Sequence, residues 1–142
     1  MKLKTLMLAA SAASLLTLAP SAHAAAKTHV FSVDEFMAKE ENRNELGNFT
    51  FVWGTSPSGT QVGSVNTGGR PANGFHKDVQ ASCERALLNS LVAMRDAALA
   101  KGATKVTGIH AVNGLITNPT KEYICVKNKF MAKTPLQGTA SK

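Results

Sequence analysis

From Thr28 onward the apolar positions fall into two periods, one of strands and one of a long helix. Thr28 to Val33 alternates as a strand does, and Ser32 or Asp34 can cap a short helix running through Asn42, with Phe36 and Met37 as its apolar contacts. Glu40, Glu41, Arg43 and Glu45 form that segment's outer face. Phe49 to Gly54 reads Phe-Thr-Phe-Val-Trp-Gly, which places Phe49, Phe51 and Trp53 on one face of a strand, and that face is predicted to join the core. Gly, Ser, Thr, Asn and Pro dominate Thr55 to Gly74, where only Gln61 to Val65 can pair as a strand. A hairpin and a mobile loop are expected there.

Asp78 to Lys101 carries the strongest periodicity. Val79, Cys83, Leu87, Leu91 and Ala98 share one stripe, Leu88, Val92 and Met94 widen it, and Glu84, Arg85, Arg95 and Asp96 lie opposite. Asp78 is the expected N-cap, Gly102 the left-handed stop, and Lys101 complements the dipole at the carboxyl end. Lys105 to Val112 and Lys121 to Met131 then read as two strands joined by a turn around Asn113-Gly114 or Asn118-Pro119. One apolar helical stripe and one apolar sheet face satisfy each other in a two-layer α+β sandwich, with one long helix packed on a small, mostly antiparallel sheet. This single domain is expected to span residues 25–134, with 135–142 a frayed polar tail.

What precedes the domain is of another kind. Met1 to Lys4 holds two lysines, Thr5 to Ala19 has no charge, and Ala22-His23-Ala24 offers small residues where a signal peptidase reads them. Residues 1–24 are read as an export signal. The run is shorter than the ~20 residues a membrane span needs, and no cysteine follows the cleavage site to carry a lipid. A soluble periplasmic or secreted protein is therefore expected.

Charge narrows the partners. The 142 residues hold 16 Lys and Arg against 9 Asp and Glu, and removing Lys2 and Lys4 with the leader lowers the net charge from +7 to +5. Such a balance confers solubility and also attracts anionic headgroups, cell-wall polymers or acidic proteins. Nucleic acid is a poor partner, because the cations are scattered and no aromatic-basic surface motif accompanies them.

Four segments carry a resemblance: Phe49-Thr-Phe-Val-Trp-Gly54, Cys83-Glu-Arg-Ala-Leu-Leu-Asn-Ser-Leu, Ala98-Leu-Ala-Lys-Gly-Ala-Thr-Lys-Val-Thr-Gly-Ile-His110 and Glu122-Tyr-Ile-Cys125. Together they resemble small exported bacterial proteins labelled "excinuclease ATPase subunit". More distantly, they are similar to the periplasmic domain of the Rcs envelope-stress lipoprotein and to YbjQ-like domains. The lipoprotein resemblance implies envelope sensing through protein contacts and disulfides. This chain lacks that family's lipid-bearing cysteine and second disulfide, so signalling does not carry over with it.

The ATPase label fails a chemical test. Phosphate binding of that type needs G-x-x-x-x-G-K-[ST], and the nearest stretch is Gly63-Ser-Val-Asn-Thr-Gly68-Gly69-Arg70-Pro71. Gly69 stands where the lysine is required, Arg70 where the hydroxyl is required, and Pro71 removes a backbone donor. The cysteines read most simply as a disulfide in an exported chain, Cys83 on the helix stripe joined to Cys125 inside the last strand. The alternative makes Cys83 a low-pKa thiolate at a helix amino end, but no C-x-x-C accompanies it.

His29, His76 and His110 lack metal-binding spacing, and no G-x-S-x-G or paired catalytic carboxylates appear. No catalytic residue, cofactor or metal is assigned. His110, His76 and Arg70 remain as candidate binding residues. The expectation is a non-enzymatic envelope domain that binds an envelope protein or an anionic polymer. Its alternative is a small-ligand or metal-binding module using the histidines.

Overall fold

A computed structural model describes residues 25–112, 116 and 118–142; the expected leader and the Asn113-Gly114 turn lie outside the described residues. The fold is α+β. Strand β1 (Lys27–Ser32) leads into helix α1 (Val33–Ala38), whose start is capped by Ser32 Oγ accepting from Glu35 N. The expected single helix breaks at Lys39, whose backbone is extended, and resumes as α2 (Glu40–Leu46). Strands β2 (Thr50–Trp53), β3 (Gln61–Asn66) and β4 (Ala72–Asn73) follow. Next come α3 (Val79–Ala100), β5 (Lys105–Ala111), β6 (Glu122–Lys127), β7 (Met131–Lys133) and β8 (Leu136–Ser141).

Helix α3 forms as its sequence predicts. Asp78 Oδ2 accepts from Ala81 N at 3.0 Å, and Gly102 at φ 71° ends the helix in the left-handed conformation. Cys83, Leu87, Leu88, Leu91, Met94 and Ala98 are buried against strands of both sheets. Two charges expected on the outer side are drawn under the short helices. The Glu84 carboxylate takes a hydrogen bond from Lys39, and Arg95 Nη1 donates to the carbonyls of Glu45 and Leu46 at 2.9 and 3.1 Å.

The strands divide into two four-stranded sheets, β1-β6-β7-β4 and β2-β5-β8-β3, in place of the single sheet expected. Among the described residues every pairing is antiparallel except that of β2 with β5. Two expected hairpins are therefore corrected. Strands β2 and β3 flank different partners, and β5 and β6 belong to different sheets, although Asn118 does anchor a turn by accepting from Lys121 N and Glu122 N. The segment from Thr55 to Gly74 is tethered, with Ser58 N donating to Thr107 Oγ1 and Thr67 N to the Leu136 carbonyl. The face of Phe49, Phe51 and Trp53 is half-buried, packed against the core from an edge strand.

The largest correction concerns the carboxyl end. Residues 136–141 do not fray: they form β8, inserted between β5 and β3, with Leu136, Ala140 and Ser141 buried. Gly138 allows this approach, because a Cβ there would lie 2.7 Å from Val106 Cγ1 and 3.1 Å from Met94 Cε.

Candidate binding surface

Cys83 and Cys125 form a disulfide, with Cα atoms 5.6 Å apart and both residues fully buried. It ties α3 to β6 and leaves neither sulfur available as a nucleophile or metal ligand. Such a bond is compatible with an extracytoplasmic location. Among the described residues no helix is long and apolar enough to cross a membrane.

The three candidate binding residues are not brought together. His110, half-buried on β5, sets Nδ1 2.8 Å from the Gly108 carbonyl. Because a carbonyl only accepts, Nδ1 carries the proton. Gly108 sits at a β-bulge with φ 62°, and a Cβ there would lie 3.0 Å from Pro57 N, so the bulge is specific to glycine. Arg70 is exposed before β4 and borders a groove of about 600 Å³ along α3, shared with Glu45, Asn89, Val92 and Asp96. His76 lies beyond β4, in the loop entering α3. Among the described residues no three His, Cys, Asp or Glu side chains converge as a metal site would require.

His76 nevertheless marks a built surface. Its φ of 56° is the only left-handed one among the described non-glycine residues, and it lies inside a tight turn in which Lys77 N donates to the Gly74 carbonyl. Asn73 Oδ1 accepts from Phe75 N, and Gly74 N donates to the Phe130 carbonyl at 2.8 Å, so the loop is fixed to the β6–β7 hairpin. That hairpin is held by Asn128, whose Oδ1 accepts from both Phe130 N and Met131 N at 2.8 Å. Lys127 Nζ spans the two loops, donating to the carbonyls of Gly74 and Asn128.

The result is an aromatic pair on two turn tips. The rings of Phe75 and Phe130 stack with centroids 5.6 Å apart at 18°, and remain 42% and 58% exposed. Met131 beside them is 41% exposed, and Lys129 Nζ lies 5.7 Å from the Phe130 ring. The β1–β6 register sets Lys27 opposite Lys127 and His29 opposite Cys125. Both enter a hollow of about 370 Å³ that Lys127, Lys129 and Val79 also line.

Charge is segregated around this end. Ion pairs among the described residues join Lys39 to Glu84, Arg85 to Glu45, Arg95 to Asp96 and Lys121 to Asp34, each with at least one partner on a helix. The bond to Glu84 raises the Lys39 pKa. Lys27, Lys77, Lys127 and Lys129 take part in none of these pairs. The one acid of their segments, Asp78, is committed to the α3 cap. Sequence reading reached His76 but missed Phe75 and Phe130, which are distant in the chain. The available signal was an aromatic residue inside the polar turn Asn128-Lys129-Phe130.

No protein-family model, curated protein or solved structure matches this chain.

Proposed function

We propose that this chain is an exported, non-enzymatic domain of the cell envelope that works by binding an acidic envelope component through the end built by Phe75, Phe130 and their lysines. The observation that carries this reading is the juxtaposition, on hydrogen-bonded turns, of exposed aromatic rings with Lys127 and Lys129, with Lys27 lining the adjoining hollow and Lys77 closing the Phe75 turn. Hydrogen-bonded turns hold the backbone that presents these groups, which lowers the ordering cost at contact. The buried disulfide supports export and an inert core.

Photocrosslinking in intact cells tests it, with the reactive side chain placed at Lys129 and, as a control, at exposed Asn44 on α2. Position 129 is expected to capture an acidic envelope component in a salt-sensitive manner, and position 44 is not. Equal capture from both positions, or catalytic turnover by purified protein that His110→Ala abolishes without unfolding it, would refute the reading.

A further inference from the structure

We infer that the acidic component is the surface of an anionic phospholipid bilayer, with Phe75 and Phe130 entering the interface and Lys27, Lys77 and Lys129 contacting headgroups. This inference rests on the binding reading above and names its partner.

Three observations favour a bilayer. First, the apolar side chains stand at turn tips. Phe130 occupies the β6–β7 turn and Phe75 the turn before α3, so both reach outward together, with Met131 alongside. A groove-bound peptide or polymer would find its apolar contacts at the bottom of a cleft. Here the concave feature is the neighbouring hollow of lysines and His29, while the rings project beside it. Secondly, the tips are rigid. Asn73, Gly74, Lys127 and Asn128 each bond across or within the two turns, so the rings are held in water by the fold. Thirdly, charge complements an anionic plane. The segments 27–29, 73–79 and 127–131 contain four lysines against one acid, Asp78, whose carboxylate is turned onto Ala81 N.

Neither signal suffices by itself: interfacial insertion of a few apolar groups and attraction of a few cations are each weak, and together they give reversible peripheral binding.

Flotation with lipid vesicles tests the inference, using the oxidised exported protein. Binding is expected with phosphatidylglycerol in phosphatidylcholine, not with phosphatidylcholine alone, and it should fall as salt rises. Lys77→Ala and Lys129→Ala should each weaken partitioning about fivefold, and Phe75→Ser with Phe130→Ser about tenfold. If the serine pair compromises folding by thermal melt, Phe130→Trp serves in its place, and its emission should shift to the blue on vesicles.

No flotation with anionic vesicles overturns the inference. So does flotation that survives the serine pair in a folded protein, or a Phe130→Trp emission unmoved by vesicles, since contact would then be electrostatic without insertion. Binding to alginate, a soluble polyuronate, or to a crosslinked acidic protein, without vesicle binding, also overturns it while sparing the wider reading. Failure of vesicles, alginate and crosslinking alike removes both.

Discussion

Cys83, near the start of α3, is bonded to Cys125 in the middle of β6, closing a loop across a sequence separation of 42. In the chain-entropy account such a closure is worth about 4 kcal/mol, comparable to the lower end of the stability of a whole small domain. Cys83→Ala with Cys125→Ala should lower the unfolding free energy by about that amount in urea melts. Reductant should destabilise the parent protein and leave the double variant unmoved. Alkylation in denaturant without reductant should label neither cysteine, and labelling of both would show that the tie is absent in cells.

Gly138 makes its own prediction. A methyl group there meets Val106 Cγ1, a stiff branched side chain buried in β5, so Gly138→Ala should cost about 1–3 kcal/mol through overpacking. Val106→Ala removes the opposing methyl. The double variant should therefore be more stable than the sum of the two single changes allows, and additive losses in a double-mutant cycle would count against the contact.

Tyr123 is the only tyrosine, and burial, followed by the charges of Glu84 and Glu35, holds its phenol well above the usual value. In the unfolded chain it titrates near about 10. The folded state thus keeps a proton that the unfolded state loses. This contribution to stability is complete below that value and disappears as pH rises from there through the folded pKa. Phenolate absorbance should appear together with alkaline unfolding, and Tyr123→Phe should reduce the alkaline loss of stability. A free titration near the ordinary value in folded protein would contradict the burial.

Thr134 offers a stabilising change. Its Oγ1 is buried with no hydrogen-bond partner among the described residues, whereas its backbone carbonyl accepts from Ser90 Oγ at 2.8 Å. Thr134→Val keeps the shape and removes the stranded hydroxyl, and should raise stability by about 1 kcal/mol in denaturant melts. Ser90→Ala, which removes a satisfied bond, should lower it by about 1 kcal/mol.

Local chemistry was legible residue by residue. Asp78, the spacing from Val79 to Ala98 and Gly102 defined α3, because capping and periodicity act within one helix. Cys83 on that stripe and Cys125 on an apolar strand defined the two ends of the disulfide. Ser32 likewise marked the start of α1, while the break at Lys39 lay beyond what the periodicity resolved.

The sequence alone determined the α+β class, the long helix and the pair of cysteines that braces it. Only the tertiary structure decided which strands pair, that residues 136–141 are a central strand, and that Phe75 meets Phe130. Strand pairing depends on partners far along the chain, which alternation cannot identify. A strand of small residues such as Gly138 and Ala140 reads as a tail until the close approach of Met94, Val106 and Ile109 explains why nothing larger fits. The aromatic pair has the same origin: two unremarkable turns become one surface when β4 is laid beside β7.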